Sequence, residues 1–134
     1  MGCSHGGIRI ENLNIPLVDV QNAVVNSLPL GKRSVSSNGR EFFSKYFVVV
    51  KKKPRPASRL RTRYYAHVHV QGDRRPYAVE GVVRKEVLQK NAIGLKYSDV
   101  GINSRFSKVL MRKIKENLSK RRENRNIIDD FRVF

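Results

Sequence analysis

Tyr65, His67 and His69 alternate along residues 61–70, and their types come nearest in this chain to a metal or proton-transfer site. Alternate residues of a strand point to the same face, so the two imidazoles would lie together on one side of a sheet. A zinc site needs three or four protein ligands, and His5 stands far away near the amino terminus. We therefore expect no bound metal and a structural role for the two histidines. The candidate sheet-face contacts are Tyr65, His67 and His69.

Other catalytic patterns are missing from the sequence. It contains no Gly-rich phosphate loop, no nucleophile elbow and no Cys/His spacing typical of a metal site. The 11 Asp and Glu residues are spread along the chain, and no pair of carboxylates stands where a fold would bring it together for acid/base work. The sequence predicts a protein that is not an enzyme and that uses no cofactor.

Positive charge is the strongest chemical signal. The 134 residues include 28 Lys and Arg against 11 Asp and Glu, a net charge of +17. This predicts an anionic partner, such as nucleic acid, an anionic lipid surface, lipopolysaccharide or a cell-wall polymer. The same cations would also suit a solvated loop that keeps a sheet edge from aggregating. The candidate anion-binding residues are Lys51, Lys52, Lys53, Arg55, Arg59, Arg61, Arg63, Arg74 and Arg75.

Residues 61–87 predict one β-hairpin, because apolar and polar residues alternate on both arms. Gly, Asp and Pro between residues 71 and 76 predict the turn. The residues expected on the apolar face are Tyr64, Ala66, Val68, Val70, Tyr77, Val79, Gly81 and Val83. Those expected on the other face are Tyr65, His67, His69, Glu80, Arg84 and Glu86.

The helices are predicted from apolar residues at helical spacing. The first begins near Pro16, carries Leu17, Val20, Val24 and Leu28, and stops at Pro29. The second follows a cap at Asn103 or Ser104. Its apolar stripe is Phe106, Val109, Leu110, Ile114 and Leu118, with Lys108, Arg112, Lys115 and Lys120 on the opposite side.

Secondary structure is also predicted for three further segments. Residues 40–50 predict a single strand with Phe42, Tyr46, Val48 and Val50 on one face and Phe43, Phe47 and Val49 on the other. Residues 51–59 predict a break, because Pro54 and Pro56 oppose regular pairing. Residues 88–101 are expected to be irregular, because Gly94 and Gly101 interrupt any regular element there.

The expected fold is α+β, with two helices packed on one face of a three- to four-stranded, mainly antiparallel sheet. Residues 1–7 would form a flexible tether, and residues 8–134 a single domain. The polar and apolar stretch 121–134 is expected either to fold back on the domain, to dock on a partner or to stay loosely attached.

The amino-terminal residues Gly2-Cys3-Ser4 leave three interpretations open. The cysteine is incidental, or the triplet is the remnant of a bacterial lipobox with Cys3 as the lipidated residue. In the third interpretation Gly2 is myristoylated and Cys3 palmitoylated. Both lipid interpretations predict that the domain is held at a membrane by its amino end.

Gly2-Cys3-Ser4 resembles the end of a bacterial lipoprotein signal, and the predicted order of elements is similar in outline to the lipopolysaccharide-assembly lipoprotein family. The turns at 38–42 and 72–77 also resemble those of small outer-membrane lipoproteins. The resemblance implies a membrane-anchored domain on the periplasmic side of the outer membrane. Its role would be to bind an anionic envelope component or a protein partner in envelope assembly, with no catalytic residue.

Two alternatives remain beside this expectation. The charge of +17 suits a small basic RNA- or DNA-binding protein of the cytoplasm, although the consensus octamer of four-stranded RNA-binding sheets is absent. Gly2 and the basic segment would also suit a matrix-like viral protein apposed to a membrane.

Overall fold

The computed structural model describes residues 7–57 and 59–132, and the side chains of those up to residue 120. Eight strands and two helices occur in this part of the chain. In chain order they are β1 (Ile8–Leu13), α1 (Leu17–Ser27), β2 (Lys32–Val35), β3 (Glu41–Ser44), β4 (Phe47–Val50), β5 (Lys53–Pro56), β6 (Thr62–Gln71), β7 (Tyr77–Asn91), β8 (Gly94–Ile102) and α2 (Ser104–Arg132).

The β6–β7 hairpin is the centre of the sheet. Its arms pair from Thr62 opposite Val87 to Gln71 opposite Ala78. The outer edge of β6 carries β3 and the first residue of β4, and β2 and β5 extend from these. The outer edge of β7 is shared by β1 and β8, since β7 is 15 residues long. All of these pairings are antiparallel.

The predicted hairpin is confirmed, including its faces. Ala66, Val68, Val70, Val79 and Val83 are each at most 1% exposed. They form the core with Val20, Ala23 and Val24 of α1 and Leu110, Met111, Ile114 and Leu118 of α2. Both helices therefore cover one face of the sheet, and the other face carries Tyr65, His67 and His69.

The predicted sheet of three to four strands is wrong, because the structure contains one eight-stranded sheet. The missed strands are short or polar. β2 and β5 are exposed along their whole length, and β8 has no buried residue, so none of them shows an alternation of apolar and polar residues.

The predicted single strand at 40–50 is also wrong, because the chain breaks at Lys45 and Tyr46 into β3 and β4. Phe42 and Phe47 are both 3% exposed, although an unbroken strand would place residues five apart on opposite faces. The hydroxyl of Ser44 stabilises the interruption between the two strands. It accepts a hydrogen bond from the Ala66 N–H at 2.8 Å and donates one to the Lys45 carbonyl at 2.9 Å.

The prolines do not prevent pairing, as β5 pairs with β4 from Lys53 opposite Val50 to Pro56 opposite Phe47. Val50 and Lys53 close a two-residue turn, where the closing pair is hydrogen-bonded and the pairs then alternate. Pro54 and Pro56 fall at the alternate, non-bonded positions of an edge strand, where a missing N–H is tolerated.

The predicted irregular segment 88–101 is wrong as well, because β7 continues to Asn91 and returns as β8. Gly94 and Gly101 have φ of 137° and 124°, values that suit glycine. Gly94 closes the turn opposite Asn91, and Gly101 lies opposite Lys85 where the register shifts.

The predicted helices are present, and α2 is anchored at its start. Asn103 caps it, since its side-chain oxygen accepts from the Phe106 N–H at 2.9 Å. The buried Ser107 hydroxyl accepts from the Val83 N–H at 2.8 Å and so attaches α2 to β7. Val109, predicted to face the core, is instead 56% exposed, and Met111 is buried.

Candidate functional site

The turn between β4 and β5 consists of Lys51 and Lys52. Both have left-handed backbone conformations, with φ of 52° and 63°. A two-residue hairpin turn with positive φ at both positions favours Asn and Gly, and each lysine there costs about 1 kcal/mol or more. Despite this strain, Lys51 and Lys52 occupy the turn and place two cations at the end of the β4–β5 hairpin.

Exposed apolar side chains lie directly beside these cations. Val49 and Val50 are 37% and 47% exposed. Residues 51–61 contain six cations and no carboxylate, and all six are exposed. These six are Lys51, Lys52, Lys53, Arg55, Arg59 and Arg61.

The first half of α2 adds a second group of cations. Within residues 104–120 there are six cations and one acid, Glu116, and the six are exposed. They are Arg105, Lys108, Arg112, Lys113, Lys115 and Lys120. We call residues 47–61 and 104–120 together the basic surface, because side chains from both segments line one groove.

The open face of the sheet carries a cluster of aromatic rings. The rings of Phe43 and His67 stack with centroids 4.4 Å apart. The ring of Tyr65 lies 6.4 Å from that of Phe43 and 5.9 Å from that of Tyr46, in the latter case edge to face. Phe43 faces this side because it alternates with the buried Phe42 on β3, and the break at Lys45 and Tyr46 brings Tyr46 to the same side.

Two arginines cover these rings. The guanidinium of Arg33 lies 4.3 Å from the centroid of the Tyr46 ring. That of Arg63 lies 3.6 Å from the Tyr46 ring and 3.4 Å from the Tyr97 ring. At these distances the cations are attracted to the faces of the rings.

Several charged side chains of the open face pair with one another. Arg63 bonds to Glu86 at 2.8 Å and Arg84 to Asp99 at 2.6 Å. A ring nitrogen of His67 lies 3.2 Å from a carboxylate oxygen of Glu41. Arg9 contacts both Glu11 and Glu80. Among the described residues, the open face is therefore close to charge balance, and the basic surface carries most of the excess positive charge.

Burial and a neighbouring carboxylate change two ionisation equilibria on this face. Partial burial, reinforced by Asp99, raises the pKa of the Tyr65 phenol above its ordinary value of 10.0. The hydrogen bond to Asp99 raises the pKa of the Arg84 guanidinium. Tyr65 is thus held neutral and Arg84 charged.

The histidines occupy the predicted face without forming a metal site in the described chain. Across its described residues, the structure brings together no group of three His, Cys, Asp or Glu that could hold a metal. A depression of about 440 Å³ on this face is lined by both histidines together with Gln71, Glu80 and Arg84. Its lining mixes both charges and suits no single class of ion.

The structure separates the predicted anion-binding residues into three groups. Six lie on or beside the β4–β5 hairpin, and Arg63 is turned to the open face. Arg74 and Arg75 lie in the β6–β7 turn at the opposite end of β6, a strand of ten residues that spans about 30 Å. These two are therefore not part of the basic surface.

Sequence reasoning missed several residues of the site. Arg33, Phe43 and Tyr97 were not expected on the open face, and Arg105 and Lys113 were not singled out on α2. Tyr97 was hidden because β8 was expected to be irregular. A residue that the sequence did indicate, Cys3, lies outside the described residues.

Comparison of the chain with protein-family models, with curated proteins and with solved structures finds no match. Among the described residues, neither helix combines the length and apolar character required to cross a bilayer. The chemistry of the two surfaces is therefore what indicates a function.

Proposed function

We propose that this chain is a non-enzymatic binding domain that docks on an anionic lipid surface through its basic surface. The expected setting is the periplasmic side of an outer membrane, with Cys3 as a lipidated anchor. The charge of +17, the Gly2-Cys3-Ser4 triplet and the shape of the basic surface support the proposal together.

The main observation behind this proposal is that Val49 and Val50 are exposed beside the strained turn of Lys51 and Lys52, the lysine turn. Proteins that lie on membranes combine exposed apolar side chains with surrounding cations, because the former enter the acyl boundary while the latter pair with anionic headgroups. A solvated loop needs neither the exposed valines nor lysines in left-handed conformations.

The energy available is sufficient for reversible docking. Each Lys or Arg close to an anionic membrane contributes about 1 kcal/mol. One acyl chain alone gives only marginal binding to a membrane. A fraction of the 12 cations of the basic surface would be enough to contribute a comparable binding free energy. A lipid at Cys3 and the basic surface would thus be two complementary signals.

The test is co-flotation of the full chain with vesicles. We expect binding to vesicles containing phosphatidylglycerol, weaker binding at high salt, and little binding to phosphatidylcholine alone. The double variant Lys51→Gln/Lys53→Gln should lose about 30-fold in affinity, at about 1 kcal/mol per cation. The matched control Arg74→Gln/Arg75→Gln removes the same charge from the far turn and should lose much less. Equal losses for the two variants would refute the docking surface.

The anchor is tested separately in the cell. Replacing Cys3 with Ser should move the protein from the membrane to the soluble fraction at high salt, where the basic surface no longer binds. A variant that fractionates as the original does would exclude lipidation at Cys3 as the anchor.

A second candidate, the binding of single-stranded RNA or DNA, is favoured by the aromatic rings and arginines of the open face. Bases stack on aromatic side chains with about 1–3 kcal/mol each. This candidate requires Tyr65→Ala to weaken binding of a labelled oligonucleotide by about tenfold or more. Under our proposal such binding is electrostatic only, falls with salt, and is unaffected by Tyr65→Ala.

A further inference from the structure

A groove of about 650 Å³ separates the β4–β5 hairpin from the start of α2. Phe47, Val49 and Pro54 line it from the hairpin, and Phe106, Val109 and Leu110 line it from the helix. Its volume lies within the range of sites for small ligands, about 300–1,000 Å³.

The groove is apolar inside and positively charged at its rim. Lys52, Arg105 and Lys113 are exposed cations among its lining residues, and none of the lining residues in the described chain is acidic. This combination fits a ligand with a hydrocarbon body and an anionic end.

Two residues that line the groove lie in environments that folding alone does not favour. Val109 interrupts an otherwise cationic surface of α2 and is 56% exposed. Lys52 reaches the rim from a backbone with φ of 63°. Both residues would be more stable in other environments, since exposed apolar area and positive φ at lysine are each unfavourable.

We propose that this groove binds the acyl chain of an anionic single-chain lipid, with the chain against Phe47, Phe106 and Val109. The anionic end would pair with Lys52, Arg105 and Lys113. The assignment rests on the proposed function, because it names the lipid component that the basic surface recognises. The chain could come from a free fatty acid or from a lysophospholipid, and the chemistry recognised is the same.

The experiment titrates the full chain, freed of lipid, with a fluorescent polyene fatty acid below its micelle concentration. We expect saturable binding of one probe per chain. Palmitate and lysophosphatidylglycerol are competitors from the two sources, and whichever displaces the probe more strongly identifies the source. An alkylamine of the same chain length should not displace it, because its head is cationic. Absence of saturable binding, or equal displacement by the amine, would overturn the proposal.

Matched variants locate the site. Val109→Glu puts a carboxylate at the groove and should weaken probe binding by at least about tenfold. Val18→Glu is its control, because Val18 is 54% exposed on α1 and does not line the groove. Val49→Glu on the opposite wall should act as Val109→Glu does. Equal effects at positions 18 and 109 would refute the location.

The two proposals fail in different ways. If anionic vesicles bind but the fatty-acid probe does not, the groove assignment is wrong and the docking surface stands. If the probe binds and Val109→Glu weakens that binding as expected while vesicles fail to bind, the docking surface is wrong and the groove assignment stands.

Discussion

The guanidinium of Arg63 lies 3.4 Å from the centroid of the Tyr97 ring, although their strands, β6 and β8, are not neighbours in the sheet. The contact passes over β7, where Arg63 also bonds to Glu86 at 2.8 Å. The Tyr97 hydroxyl donates to the Leu60 carbonyl at 2.7 Å. The two residues thus join three strands on the open face.

We expect Tyr97→Ala to lower the free energy of unfolding by about 1–3 kcal/mol, because both the ring contact and the hydrogen bond are lost. Tyr97→Phe keeps the ring and should lose only about 0.5–1.5 kcal/mol. Chemical denaturation measures both. Identical losses would show that the ring contributes nothing beyond its hydroxyl.

The lysine turn predicts that stability and binding change in opposite directions. Lys51→Asn/Lys52→Gly supplies the residues that the turn favours and should stabilise the fold by about 1–2 kcal/mol. The same variant should bind anionic vesicles less tightly, because two cations leave the basic surface. Denaturation and vesicle flotation of the same preparation check both effects.

Arg74→Gln/Arg75→Gln is the control for this pair, since it removes equal charge from a different turn. Its free energy of unfolding and its affinity for anionic vesicles should both change less than those of Lys51→Asn/Lys52→Gly. A lysine-turn variant that is less stable than the original would show that the positive φ angles carry no strain.

Removal of the Ser107 hydroxyl should lower the free energy of unfolding without affecting the basic surface. Ser107→Ala leaves the buried Val83 N–H without its acceptor and should cost about 1–3 kcal/mol. Ser119, an exposed serine of the same helix, is the control, and Ser119→Ala should be neutral within about 0.5 kcal/mol. Thermal or chemical unfolding distinguishes the two, and equal effects would contradict a role for the Ser107 hydrogen bond.

Tyr65 predicts a loss of stability at alkaline pH. Its pKa is raised in the folded chain, so the unfolded chain releases this proton first. The contribution is fully present below about pH 10 and is lost as the pH rises through the folded pKa. Tyr65→Phe should therefore lose less stability than the original chain over this range. Chemical denaturation of both chains across this alkaline range measures the difference.

The central hairpin and both helices could be predicted from the sequence because each buries one face and so shows a regular period. Val68 and Val70 on β6, or Ile114 and Leu118 on α2, are buried where the pattern indicates. Strands that bury nothing leave no such signal. β8 is stabilised by pairing with β7 and by contacts such as Tyr97 to Arg63, which join residues far apart in the sequence.

The site was predictable in its charge but not in its arrangement. The density of cations at 51–61 is plain in the sequence, whereas Val109 reads as a core residue by spacing alone. Its exposure depends on where the β4–β5 hairpin lies, and that depends on the two-residue break at Lys45 and Tyr46. Likewise, nothing in the sequence shows that the carboxylates of Glu86 and Asp99 neutralise Arg63 and Arg84.

Among the described residues, the balanced charges of the open face and the excess of cations on the basic surface together form an electric dipole. Such a molecule experiences a torque near a charged plane before it touches the plane. The field of an anionic surface would rotate the hairpin turn and α2 inward from within about one Debye length, ~8 Å at physiological ionic strength. The open face would then point away, so that encounter and orientation occur in a single step.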